Sequence, residues 1–243
     1  MHRFFVSRDS ITGDNISVAG QLAYQITRVL RLKPVDHIIV LDNSDWEFET
    51  EIESIKRDMV QGKIIKKERG KGEPGISLTL YQALLKTDKF EFVLQKSVEL
   101  GVTSIIPFVS ERCVVRKPSE SRITRWQAII REAAEQSQRS RLPVLHPVIT
   151  FREACEQTNK PALILWEQEK SQSLSATMKS NLFNKAQAIS ISIGPEGGFV
   201  PTEIELARKH GIVTVGLGNR ILRAETAGIV AISAIMYEKG ELS

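Results

Sequence analysis

The chain has 243 residues, 42% of them hydrophobic and 26% charged, a balance that excludes a disordered segment and suits a small domain beside a medium one. No apolar run approaches the roughly 20 residues of a membrane span, and Met1-His2-Arg3-Phe4-Phe5 begins no signal-peptide-like stretch, so a cytoplasmic location without a membrane partner is expected. The net charge of +4 is unevenly spread: residues 56 to 71 carry seven Lys or Arg against two acids, residues 112 to 141 carry eight against three, and the remainder is net acidic. Clustered cations suit a polyanion, from whose phosphates they release counterions, although a solvated lysine-rich surface explains the charge alone equally well. Cys113 and Cys155 have no partners at metal-ligand spacing, and no metal is expected.

In chain order, Phe4-Phe5-Val6, Ile38-Ile39-Val40-Leu41 and Ile64-Ile65 read as strands, while Val18, Leu22, Ile26, Val29 and Leu30 recur at helical spacing. The stretch from Glu68 to Gly75 sets three glycines and a proline among charges, as linkers do. This predicts a small, mostly β domain over residues 1–72 and a second domain over 73–243. Past the linker, apolar runs at 78–83, 103–109, 162–166, 188–193 and 213–217 alternate with amphipathic patterns around 88–100, 121–139, 171–183, 202–210 and 226–238. Such alternation predicts an α/β domain with a parallel sheet, whose ligands sit beyond the carboxyl ends of the strands. On the helix over 121–139, Ile123, Trp126, Ile130, Ala133 and Ser137 form the inward face, which assigns Trp126 to the core; Arg125, Glu132, Gln136 and Arg139 line one flank.

The sharpest local signal is the strand running into a turn at Ile191-Ser192-Ile193-Gly194-Pro195-Glu196-Gly197-Gly198-Phe199. Pro195 fixes one φ, the glycines permit positive φ and let a ligand lie against bare backbone, and Thr202 with Glu205 predicts a capping box just beyond. The spacing is neither GxGxxG nor GxxxxGK[ST], so a dinucleotide or triphosphate site is not supported, and taken alone the loop reads as a connecting turn. A second segment, Leu217-Gly218-Asn219-Arg220 and then Ile221 to Gly228, leads into a helix apolar nearly all round through Ile229, Val230, Ile232, Ile235 and Met236. That helix must be buried on several sides, its small residues Ala227, Gly228, Ala231 and Ala234 allow a neighbouring backbone to approach, and the charges of Arg223 and Glu225 at its mouth are costly without partners.

Gly194-Pro195-Glu196-Gly197-Gly198, followed by Leu217-Gly218 and Ile221-Leu222-Arg223-Ala224-Glu225-Thr226, closely resembles the C-terminal signature of the RsmE family of ribosomal RNA methyltransferases. The resemblance extends to Arg28-Val29-Leu30-Arg31, Gln95-Lys96-Ser97-Val98-Glu99-Leu100-Gly101, Ser110-Glu111-Arg112-Cys113 and Glu135-Gln136-Ser137-Gln138-Arg139, in family order. Where the family often has His before the Arg-Val-Leu-Arg run, this chain has Tyr24-Gln25, so no role of that His transfers. The resemblance implies a PUA-like β-barrel, a SPOUT α/β domain with a deep trefoil knot, and a homodimer with cofactor sites near the subunit interface. It implies S-adenosylmethionine as cofactor and N3 of a uridine in 16S ribosomal RNA, free or within the 30S subunit, as substrate.

Carried onto these residues, the resemblance makes Ile193, Gly194, Pro195, Glu196, Gly197, Gly198, Leu217, Gly218, Ile221, Leu222 and Thr226 the cofactor-binding set. Arg223 is expected to stabilise the uridine anion, and Glu225 or Glu196 to accept its proton or to orient the site, with orientation the preferred role because an unburied carboxylate is a weak base. Arg3, Arg28, Arg31 and Lys33 from the first domain, with Arg125, Arg139 and Arg141, are the expected grip on RNA phosphates. Competing readings are a non-catalytic RNA-binding assembly factor, which predicts eroded cofactor loops that are not seen, and a related enzyme with another methylation target. An unrelated α/β nucleotide-binding enzyme lacks a phosphate fingerprint.

Overall fold

The computed structural model describes Met1–Leu242, which fall into two compact units. The first comprises Met1–Glu73 together with Ala134–Leu142; the second comprises Pro74–Ala133 and the chain from Pro143 onward. The first contains β1 (His2–Phe5), β2 (Ile11–Thr12), β3 (Asn15–Ala19), α1 (Gly20–Tyr24), β4 (His37–Leu41), β5 (Trp46–Lys56) and β6 (Met59–Arg69). There follow β7 (Ser77–Ala83), α2 (Thr87–Glu99), β8 (Ser104–Val109), α3 (Glu120–Gln136), β9 (Val144–Leu145), β10 (Ile149–Thr150) and α4 (Phe151–Gln157). The chain continues through β11 (Ala162–Leu165), α5 (Leu174–Met178), α6 (Asn181–Asn184), β12 (Ala188–Ile193), α7 (Pro201–Lys209), β13 (Val213–Val215) and α8 (Ala224–Glu238).

The first unit is one six-stranded sheet in the order β1-β4-β5-β6-β3-β2, with only β1 and β4 parallel. Its core gathers Phe4, Ile16, Val18, Ile26, Ile38, Val40, Phe48, Ile52 and Val60. The single helix expected over Val18 to Leu30 is not formed: Val18 lies in β3, Gly20 at φ +65° turns the chain into the short α1, and a π-helical turn follows over Gln25–Val29. Leu30 N donates to Gln25 O at 2.9 Å, the i to i−5 bond of such a turn. The expected linker is also shorter than its composition predicts, because β6 runs on to Arg69, with Lys67 and Arg69 lying over the ring of Trp46 at 4.6 and 5.7 Å.

Arg139 requires a correction. The helix expected to carry it ends at Gln136, Gln138 takes φ +62°, and Arg139 is 2% exposed. Its Nη2 donates to Glu73 Oε2 at 2.8 Å, while Glu73 Oε1 accepts from the backbone N–H groups of Ser140 and Arg141 at 2.9 and 3.0 Å. A buried guanidinium held in this way is a strut of the first unit rather than a phosphate ligand. Removing one member of a buried pair strands the other charge, so Arg139→Ala is expected to cost about 3 kcal/mol of stability, read as a fall in the urea midpoint. Loss of RNA affinity at unchanged stability would return Arg139 to the phosphate-binding set.

The second unit holds a seven-stranded, all-parallel sheet in the order β10-β8-β7-β12-β11-β13, with β9 beside β8. The five apolar runs of the sequence are five of its strands; the two-residue β9 and β10 and the helix α4 are too short to show a period. The helix expected over 171–183 is two short helices separated at Lys179-Ser180. Trp126 is buried with its ring 4.3 Å from that of Phe90, as its place on the apolar face implies, but Ile123 on the same face is exposed. The helix expected to start with a Thr202–Glu205 box is capped two residues earlier, at Val200, whose N–H donates to Glu203 Oε2 at 3.0 Å. Along α8, Gly228, Ala231, Ile232, Ile235 and Met236 are buried in their own unit, while Val230 and Tyr237 remain uncovered. Ala231 therefore packs inward rather than presenting a small-residue face to another chain.

Candidate functional site

Strands β12, β11 and β13 are neighbours in the sheet, and their carboxyl ends deliver three loops around one cavity of about 260 Å³. From β12 come Ile193 through Phe199; from β11, Leu165, Trp166 and Glu167; from β13, Val215, Leu217 and Gly218, continued by Arg220, Ile221 and Leu222. Ala224 and Ala227 of α8 complete the lining. The walls are mostly aliphatic side chains and bare backbone, and the carboxylates are Glu167 and Glu196.

Each loop has a local reason for its course. Gly198 adopts φ +69°, and its N–H closes a turn onto Pro195 O at 2.9 Å. A Cβ there would lie 2.9 Å from Glu167 Oε1, so the glycine lets the β11 loop close on the β12 loop. Gly197 O accepts from Arg112 Nη1 at 2.8 Å, and Glu196 Oε1 accepts from Lys86 N at 3.2 Å, which braces the glycine loop from two sides. Glu203 Oε1 also accepts from Glu111 N at 2.9 Å, tying the loop after β8 to the start of α7. In the β11 loop, Glu169 takes hydrogen bonds from the Ser171 hydroxyl and backbone, which hold its carboxyl below the ordinary glutamate value, and pairs with Arg208 at 3.0 Å. Gly216 passes so close to that loop that a Cβ would stand 2.2 Å from Glu169 O.

Of the cofactor residues expected from the sequence, the cavity brings together Ile193, Gly194, Pro195, Glu196, Gly197, Gly198, Leu217, Gly218, Ile221 and Leu222. Thr226 does not line it and sits exposed on the first turn of α8. Arg223, at the N-cap of α8, is exposed and makes no ion pair among the described residues. Glu225 is mostly buried, its Oε2 has no hydrogen-bond partner, and its nearest cation is Lys89 Nζ at 3.5 Å. Sequence reasoning missed Trp166, Glu167 and Lys89. The first two follow the carboxyl end of a strand that the sequence shows, so the strand-end rule names them; Lys89 carries no such signal.

Among the proposed RNA contacts, Arg28 and Arg31 are exposed without carboxylate partners among the described residues. Arg3 is paired with Glu47 at 2.5 Å, Arg125 with Glu91 at 2.8 Å, and Arg141 with Asp45. Among the described residues no group of His, Cys, Asp and Glu is placed to hold a metal ion, and no helix is long and apolar enough to cross a membrane.

A parallel sheet with a glycine-lined cavity at its strand ends is the arrangement of a nucleotide-type cofactor site, and residues 72–236 match the family model described as an RNA methyltransferase domain. Ribosomal RNA small subunit methyltransferase E of Bacillus subtilis (strain 168) is 33% identical, with 98% of this chain and 97% of that protein covered. The protein of the same name from Mesomycoplasma hyopneumoniae (strain 232) is 35% identical over 96% of this chain and 98% of its own. The crystal structure of Ribosomal RNA small subunit methyltransferase E from Neisseria gonorrhoeae bound to S-adenosyl methionine is 32% identical with a TM-score of 0.87, covering 98% of this chain and 97% of that one. The chain belongs to the ribosomal RNA small subunit methyltransferase E family, and is a methyltransferase.

Proposed function

We propose that this protein methylates N3 of a specific uridine in 16S ribosomal RNA, using S-adenosylmethionine held in the cavity between the β11, β12 and β13 loops. The observation that carries this reading is the cavity itself, with ten of the eleven cofactor residues of the sequence signature on its wall and, at the adjoining N-cap of α8, Arg223, which makes no ion pair among the described residues. The fit to the cofactor is chemical. The aliphatic side chains of Leu165, Ile193, Val215 and Leu217 suit a flat adenine, loop backbone offers donors and acceptors to its edges, and Glu167 and Glu196 suit cationic groups. When bound, S-adenosylmethionine supplies a methyl group activated by its sulfonium.

The protein's own work is alignment and the handling of one proton. Uridine N3 must lose its proton before its lone pair can attack, and each pKa unit by which a cation eases that loss corresponds to about 1.4 kcal/mol. Two exposed guanidiniums stand at this end of the sheet, Arg220 on the cavity wall and Arg223 at the N-cap of α8; the role is assigned to Arg223, and Glu225 is assigned to orientation because its carboxylate already faces Lys89. Exposed Arg28 and Arg31 of the first unit are the uncompensated members of the phosphate grip; Arg3, Arg125 and Arg141 must exchange a carboxylate for a phosphate to join it. Mapping of N3-methylated uridines in 16S RNA from cells with and without the protein tests the reading. An unchanged map with intact cofactor binding moves the activity to another target.

The finer architecture follows the same reading: a PUA-like barrel in the first unit, which takes in Ala134–Leu142 as well as the expected residues 1–72, and a knotted SPOUT domain in the second. In support of the knot, the chain leaves β13 at the sheet edge, runs tightly against the β11 loop at Gly216, and reaches α8, which packs on α2 and β12 nearer the sheet centre. We also propose a homodimer that covers the exposed Val230 and Tyr237 of α8. Val230→Asp is then expected to shift the mass measured by light scattering from dimer to monomer, since a buried unpaired carboxylate costs several kcal/mol. A dimer mass for that variant places the interface elsewhere.

A further inference from the structure

Lys89 breaks a local rule. It is the third residue of α2, where the positive end of the helix dipole disfavours a cation, and acids are the usual choice in a first turn. Such violations persist where something else compensates, and they gather at functional sites. Here two carboxylates compensate. Lys89 Nζ lies 3.5 Å from Glu225 Oε2 and 4.0 Å from Glu196 Oε1. The first carboxylate belongs to the opening turn of α8, two residues after Arg223; the second belongs to the glycine loop and lines the cavity. Three separate elements therefore converge on one ammonium.

The arrangement is asymmetric in a telling way. Glu196 has a second support, since its Oε1 also accepts from Lys86 N at 3.2 Å, one turn before Lys89 on the same chain segment. Glu225 has none at Oε2, which is buried without a hydrogen bond, so beyond the N-terminal dipole of α8 its compensation among the described residues is Lys89. An acid in that position without a cation would turn outward to water, and α8 would begin differently. The two carboxylates would also face each other as like charges in a partly buried setting, which pushes the glycine loop and the start of α8 apart.

We infer that Lys89 is a positioning residue for methyl transfer: its ammonium, shared between Glu196 and Glu225, sets the glycine loop and the opening of α8 in the arrangement that binds the cofactor. The inference rests on the reading of the cavity as the S-adenosylmethionine site. It assigns Lys89 no contact with cofactor or RNA. Its action is wholly through the two acids.

Calorimetric titration of the full-length protein with S-adenosylmethionine, in parallel with thermal unfolding, tests it. Lys89→Met is expected to raise the Kd about tenfold, while Lys89→Arg, which keeps the charge, stays within about threefold of the native value. The double variant Lys89→Met with Glu225→Gln separates positioning from simple charge balance. Removing the stranded acid should restore the unfolding midpoint but leave the affinity weak, because Glu196 still lacks its ammonium and keeps only the bond from Lys86 N. An unaltered Kd in Lys89→Met overturns the inference, and so does full recovery of affinity in the double variant. If the native protein itself shows no binding heat, the cofactor reading falls and this inference falls with it; native binding with an unaltered Lys89→Met sinks the inference alone.

Discussion

Gly198→Val is expected to weaken S-adenosylmethionine binding at least a hundredfold while the protein stays folded. Gly198 sits at φ +69°, a conformation that costs a residue with a Cβ roughly 1–2 kcal/mol and a β-branched one more. A Cβ there would also stand 2.9 Å from Glu167 Oε1, so the carboxylate must move, and it moves within the cavity wall. The Glu167 carboxylate is the free end of a flexible side chain and moves at little cost, so the positive-φ strain of a β-branched residue, relieved by rearranging the loop, carries most of the roughly 2.7 kcal/mol that a hundredfold loss requires. The rest of the unit is spared because Gly198 lies in a loop outside the sheet. Calorimetry on the variant, with circular dichroism to confirm folding, measures this. Affinity within threefold of the native value would remove the glycine loop from the site.

Arg223→Ala should fail in a different manner, losing about two orders of magnitude in the methyl-transfer rate at saturating RNA and cofactor, with both affinities nearly intact. An interaction made mainly in the transition state lowers the rate without weakening ground-state binding. Arg223 is suited to such a role because its charge is not committed to a carboxylate among the described residues, and it precedes the helix whose first residue lines the cavity. Single-turnover kinetics at several RNA concentrations separate the two quantities. A normal saturated rate with weakened RNA binding would make Arg223 a phosphate ligand and end the electrostatic account of N3 activation.

The parts of the fold that were legible in the sequence are those where burial is one-sided or complete over enough residues to leave a period. The run from Ala188 to Ile193 reads as a strand because it is buried along nearly its whole length, and the structure places β12 on those same residues. The long hairpin of β5 and β6 was nearly invisible. Its outer face carries Glu49, Glu51, Lys63 and Lys66, and only two neighbouring isoleucines in β6 stood out against the charge. Arg139 falls outside the helix although the helical period continues past Gln136, and nothing in Ser137-Gln138 announces that Gln138 turns to positive φ. The partner of Arg139, Glu73, is 66 residues away, and no local pattern pairs them. The same holds for Lys89: its meaning lies in two acids more than 100 residues further on, brought to it only by the packing of three elements.

The participation of Ala134–Leu142 in the first unit has a consequence for how this protein can be taken apart. Its sheet draws on a segment encoded well inside the other half of the chain: Glu135 accepts from Phe5 N, Asn43 Oδ1 from Leu142 N, and Glu73 from Ser140 N and Arg141 N. A fragment ending at residue 73 leaves those donors and acceptors to water, and a fragment beginning there carries an orphaned stretch with its buried arginine. The first unit is therefore not a detachable cassette. A single recombination event at the glycine-rich junction would not transplant it onto another enzyme, and a working transplant has to carry both pieces of chain together.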